Sequence, residues 1–226
     1  ISESISLTDS VGKDVTIALT ESISFTDSAI KQFDVSLLES LVLSDTTPSI
    51  PINIIARDAE DLTNPEYVKT FTIDSKTYAI VTQPANWVGR TDGHTDLTIY
   101  DVSDPTNIVV TDSAKQGDPG FSVLDGANGV DTFTIASNNT ATYAIVTDMG
   151  TSGSSYSDGG VQIIDVSDPA AIVALDAETD GANGFTQLQG AFAVDTFTVA
   201  SNTAATYAIV TAIGNWNSNG VQIIDI

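Results

Sequence analysis

The segment Asp131 to Asp165, DTFTIASNNTATYAIVTDMGTSGSSYSDGGVQIID, is written again at Asp195 to Asp225 almost letter for letter, and a looser copy runs from Thr70 to Asp101. The equivalent tyrosines, Tyr78, Tyr143 and Tyr207, stand 65 and 64 residues apart. A fixed period of this length marks a repeat architecture, in which one supersecondary unit is copied and each copy buries its apolar face against the next. No catalytic signature competes with it, so the residues specify an architecture before they specify an activity.

Each copy divides into four short apolar runs. In the third they are IVALDA from Ile172, AFAVDTFTVA from Ala191, TYAIVT from Thr206 and VQIIDI from Val221. The first offers IIARDA, VKTFTI, TYAIVT and LTIYDV, and the second VVTDSA, VDTFTI, TYAIVT and VQIIDV. On this division all three units are complete and their boundaries fall at the DVSDP turns. The AIV and VQII runs are apolar on both faces, as inner strands between two layers must be, whereas IVALDAETD drifts towards alternation and acid and suits an outer edge. No stretch sustains a helical period. The predicted fold is all-β, with three repeats of about 64 residues. Each repeat is expected to form a four-stranded antiparallel, propeller-like blade, and an N-terminal segment of β-strand repeats precedes the first.

Residues 1–47 carry a second period, with ESISLTDS at Glu3, ESISFTDS at Glu21 and ESLVLSD at Glu39, each 18 residues after the last. Because that spacing is even, the alternation of a strand never changes phase. Ile5, Leu7, Ile17, Leu19, Ile23 and Phe25 all fall on odd positions, while Ser and Thr fill most of the even ones. Such strands have one apolar and one hydroxyl-rich face, and a segment this short is marginal for covering the apolar face by itself. A neighbouring subunit, an upstream repeat or the second domain would have to cover it. TTPSIPINI, with Pro48 and Pro51, is a proline-punctuated joint. It divides the chain into 1–47, an assembly or stalk segment, and 48–226, three propeller-type blades.

Charge narrows the partners. Seven basic residues face 30 acidic ones, and after Lys115 there are twelve Asp or Glu and no Lys or Arg. This surface repels phosphate backbones and anionic headgroups, so nucleic acid is not an expected partner. No apolar run reaches the length of a membrane-spanning helix, so direct membrane insertion is not expected either. The chain has no cysteine, which removes disulfides and thiolate metal sites.

YAIVT, a Gly-rich or Asp-rich loop, VQIIDVSDP and a further aliphatic strand together resemble the LVIVD-type β-propeller repeat of archaeal and bacterial surface proteins, over Ile52 to Ile226. Joined to GFSVLDGANGVDTFTI at Gly120 and to the ESISLTDS tracts, the pattern resembles large secreted archaeal cell-surface proteins. The resemblance implies a secreted, extracellular glycoprotein. Propellers close with four to eight blades. Three units therefore imply further blades, a second chain in the ring, or units that stack without forming one.

Candidate sites are few. Asp101 with Asp104, and Asp165 with Asp168, lie in Asp-Pro turns, where an aspartate ordinarily caps its own backbone. DAETDG places Asp176, Glu178 and Asp180 at the first three carboxylate positions of a calcium loop, but Gln187 stands where the bidentate acid belongs. Calcium is the only cofactor the residues suggest. His94 is the only histidine, and a lone imidazole makes neither a zinc site nor a supported Ser-His-Asp triad. Trp87 and Trp216 occupy equivalent loops, with Tyr156 in the corresponding loop of the second unit. There they can stack on a sugar, bury themselves in a neighbour or cover their own blade. Asn138 heads the NNT sequon, the glycosylation acceptor of a secreted chain.

Two functions follow as expectations. One is a structural subunit of an extracellular filament or surface lattice, self-assembling as a homopolymer or with neighbouring surface proteins through β-strand contacts between subunits. The other is a propeller binding module that recognises a glycan, peptide or cation through its long loops. Enzymatic activity is not expected.

Overall fold

A computed structural model describes residues 64–84, 95–150, 156–214 and 219–226. The 18-residue repeats of residues 1–47, the IIARDA run and the loops that carry Trp87, His94 and Trp216 lie outside the described residues.

Among the described residues eleven strands form three antiparallel sheets, and there is no helix. The first sheet consists of β1 (Tyr67–Ile73), β2 (Lys76–Thr82), β3 (Leu97–Asp101) and β4 (Val109–Ala114), in chain order. The second follows the same order with β5 (Ala127–Ile135), β6 (Asn138–Asp148), β7 (Gly160–Asp165) and β8 (Val173–Thr179). The third has β9 (Ala191–Val199), β10 (Asn202–Ala212) and β11 (Gly220–Asp225). The inner placement of the TYAIVT strands and of VQIID in the second sheet, and the edge placement of IVALDAET, agree with the sequence, whereas the VQIID strand of the third sheet, β11, stands at an edge among the described residues.

Local chemistry explains each meander. The first two strands of every sheet are joined by a two-residue turn, and at Asp74 and Ser75 φ is 49° and 67°. That backbone hand matches the twist of the flanking strands. In the first sheet the turn sets a register in which Phe71 faces Tyr78; in the other two the register shifts between turn and pair, and Phe133 again faces Tyr143 and Phe197 faces Tyr207. The ring centroids of these pairs are 5.6, 5.6 and 5.7 Å apart. An aromatic pair directly across two strands is a strong register lock.

The unit boundaries differ from those read in the sequence. The DVSDP turn does not separate units. It joins the third strand of a sheet to its fourth, so VVTDSA is β4 of the first sheet and IVALDA lies in β8 of the second. The turn is too short to change layer: Asn107 N–H donates to the Asp104 carbonyl at 2.9 Å, and the chain folds straight back on its neighbour. The change of layer takes place in residues 115–126 and 180–190. There Gly117 and Gly120, and their equivalents Gly181 and Gly184, adopt φ of 81° to 90°, which a side chain resists. The third unit has three described strands, not four.

The second sheet is the middle layer. One of its faces, with Val130, Ala144, Val146 and Ile164, packs on Phe71, Ile80 and Ile99 of the first sheet. The other, with Phe133, Tyr143, Ile145 and Val161, packs on Ala208, Val210 and Ile224 of the third. The first strands converge: the Tyr67 ring of β1 meets the Phe192 ring of β9 edge to face at 6.0 Å. Among the described residues the three sheets do not close into a ring.

Candidate functional site

The same hydrogen bonds recur at both seams between sheets. Thr82 of β2 donates its hydroxyl to the Asn128 carbonyl of β5, and the equivalent Thr147 of β6 donates to the Phe192 carbonyl of β9 at 2.9 Å. On the edge strands, the Ile172 N–H at the start of β8 donates to Asp112 Oδ2 of β4 at 2.8 Å.

Asp131 of β5 ties all three sheets together. Its carboxylate meets Lys69 Nζ of β1 at 2.6 Å, and it accepts the N–H and the hydroxyl of Thr196 of β9, each at 2.7 Å. Burial would raise this carboxyl, but the bonds from Lys69 and Thr196 outweigh it and lower the pKa below the ordinary carboxylate value. Lys69, Asp131 and Asp195 occupy the same repeat position. The substitution of Lys for Asp in the first copy alone is the signal by which the sequence could have shown this junction.

Asp148, at the end of β6, was also missed. Its Oδ1 accepts N–H groups from Gly126 at 2.8 Å and Gly150 at 2.6 Å, and the residue is 3% exposed. Burial pushes its carboxyl up to about 7, against those two bonds, and Asp125 and Asp158 push the same way. Gln83 and Ala212 fill its place in the other repeats, so this group belongs to one copy.

The Asp-Pro turns behave as local caps. Asp101 accepts from Ser103 N–H at 2.9 Å, Asp104 from Thr106 at 2.9 Å, Asp165 from Ser167 at 2.8 Å and Asp168 from Ala170 at 3.0 Å. The Ser103 bonds, with Lys76 3.0 Å away, hold Asp101 down at about 2.

Asp176, Glu178 and Asp180 are not gathered around a common point. Asp176 accepts from its neighbour Ala177 at 2.9 Å, Glu178 from the Asn183 amide at 2.9 and 3.0 Å, and Asp180 from Leu188 N–H at 2.8 Å. Asp180 thereby does for its linker what Gln116 does for the preceding one, where its Oε1 accepts from Leu124 N–H at 2.7 Å. Among the described residues no group of three His, Asp or Glu could hold a metal ion. Asn138 is exposed at the start of β6, where its amide donates to Tyr143 Oη at 3.0 Å and its Oδ1 accepts from Thr140 at 3.0 Å. Tyr156 has φ of 62°. Its carbonyl accepts from Gly159 and Gly190, so the residue ties its own loop to the 180–190 linker.

A groove of about 380 Å³ lies beside β11 among the described residues. Ile163 of β7, Leu175 and Ala177 of β8, and Phe185, Ile224 and Ile226 supply its apolar wall, with Asp176, Glu178 and Asp225 beside them. It lies on the seam between the second and third sheets, where the third has no described fourth strand. No protein-family model and no curated protein matches the chain.

Proposed function

We propose that this protein is a structural subunit of an extracellular cell-surface assembly, a filament or lattice held by β-strand contacts between subunits. One observation carries the reading: the face that the second sheet buries under the third is repeated on the third sheet and lies open. Val161 is 3% exposed, and its equivalent Val221 is 55% exposed. Ile163 is half-buried, and its equivalent Ile223 is 50% exposed. Thr147 and Asp131 are buried in the seam, while Thr211 and Asp195 face solvent. A surface already shaped to receive a sheet of this kind is matched by another sheet of this kind.

The alternating sequence of residues 1–47 points the same way, because an apolar face of the kind it predicts calls for a partner. The extracellular setting rests on the resemblance of the repeats to secreted surface proteins. Multi-angle light scattering over a hundredfold concentration range, with electron microscopy of the concentrated sample, tests the proposal. Growth of mass with concentration and regular particles are expected. A monomer at every concentration would sink it.

A further inference from the structure

The groove beside β11 is the place where the repeat seats a fourth strand, and the chain contains a fourth-strand sequence that no described sheet uses. Pro51 to Glu60, PINIIARDAE, aligns with Pro105 to Ala114, PTNIVVTDSA, and with Pro169 to Glu178, PAAIVALDAE. The last two are the DVSDP turn and edge strand of the first and second sheets. Pro51 to Glu60 precedes β1 in the chain.

Four features of the occupied seam show what the open one lacks. Between the first and second sheets, a Cβ added at Gly120 would stand 3.0 Å from the Ala174 Cβ of β8; one added at the equivalent Gly184 would meet no described atom within 4 Å. Ala56 is the residue that aligns with Ala174. Phe121 is buried in the first seam, and its equivalent Phe185 lines the groove half-buried. Asp112 accepts the N–H of Ile172, and the equivalent Asp176 is exposed, with Ile54 aligned to Ile172. Gln162 is fully buried and donates to the Asp176 carbonyl of its own fourth strand at 2.7 Å, whereas the equivalent Gln222 is only half-buried.

We propose that residues 51–60 of a second copy of this chain enter the groove and pair with β11 as the fourth strand of the third sheet. Val221 and Ile223 of β11 are 55% and 50% exposed in the single chain, which leaves the place beside them to a second copy. The joint this makes is head to tail, with different surfaces on the two copies, and such joints propagate into rings or filaments. Backbone hydrogen bonds along β11 would hold the strand, and Ile54, Ala56 and Asp58 would fix its register as Ile172, Ala174 and Asp176 fix that of β8. The proposal rests on the assembly reading above and gives it a contact.

The chain has no cysteine, so engineered thiols report cleanly. Val161 faces Glu178 across β7 and β8, and the aligned pair is Val221 and Glu60. Chains carrying Val221→Cys are mixed with chains carrying Glu60→Cys under mild oxidation, with Val68→Cys in place of Val221→Cys as the control. A disulfide-linked heterodimer from the first mixture, at least tenfold above the control, is expected. If the unmodified protein gains mass with concentration yet the pair does not cross-link, this contact is wrong and assembly stands. If the protein stays monomeric, both readings fall. A disulfide that forms only within one chain carrying both substitutions would overturn the second copy as the source.

Discussion

The second and third sheets are the same sequence placed in two environments. VQIID is β7 in one and β11 in the other, and TYAIVT is the core of both β6 and β10. Yet Val161 is 3% exposed and Val221 55%. Burial here comes from the neighbouring layer, not from the strand, and the repeat makes each position its own control. The comparison breaks most sharply under a charge. Val161→Asp places an unpaired carboxylate between two layers and should cost more than about 4 kcal/mol. Val221→Asp should change the stability of the isolated chain by less than about 0.5 kcal/mol while reducing its self-association. Urea unfolding of the two variants, alongside light scattering of the second, checks both halves.

A second contrast lies at the ends of β6 and β10, where Asp148 of one copy is Ala212 in the other. The folded protein raises the Asp148 carboxyl from 3.8 to about 7, so it favours the neutral acid. A raised folded pKa gives stability that is fully present below the unfolded value and is lost as pH rises through the folded one. This residue should therefore destabilise the fold progressively between about pH 4 and pH 7. Asp148→Asn keeps an oxygen for the Gly126 and Gly150 N–H groups and removes the ionisation. At pH 8 the variant should be more stable than the parent by on the order of 4 kcal/mol, from about three pKa units at about 1.36 kcal/mol each, and at pH 4 the two should nearly coincide. Thermal melts across that range decide it, and a constant difference at all pH values would remove the explanation.

The all-β class and the edge placement of IVALDAET could be read from the repeat, because period-two alternation and runs apolar on both faces determine them. The phase of the repeat could not. IVALDA looks equally well like the first strand of one unit or the last of the one before, and only the turn chemistry decides: DVSDP folds back within a sheet, while the GDPG and DGANG linkers change layer. Asp131 and Asp148 were invisible for a related reason. A lone aspartate in a strand reads as a solvent-facing residue until the neighbouring sheet brings Lys69 and Thr196, or burial, to it. The groove is legible only as a difference between two seams, which requires both seams to be seen.

Asp131 and Asp195 sharpen the comparison on a smaller scale. Asp131→Asn loses the contact with Lys69 and weakens those with Thr196, at a cost of about 1 to 2 kcal/mol, and Asp195→Asn should cost little in the isolated chain. Because the folded protein lowers the Asp131 pKa, its contribution is present above the unfolded value and lost as pH falls through the folded one. The gap between parent and Asp131→Asn should therefore close below about pH 4, the reverse of the trend at Asp148.

The smallest effect separates two glycines. Gly120 and Gly184 share a left-handed backbone, with φ of 83° and 90°, so alanine at either carries a conformational cost of about 1 kcal/mol. At Gly120 the new methyl also meets the Ala174 Cβ at 3.0 Å, whereas at Gly184 it meets nothing among the described residues. Gly120→Ala should therefore cost about 1 kcal/mol more than Gly184→Ala in the isolated chain. In assembled protein that difference should shrink, because a strand seated in the groove would set Ala56 against residue 184 as Ala174 is set against residue 120. Denaturation midpoints measured at low and high protein concentration would show the convergence, and a difference independent of concentration would leave the two seams unlike.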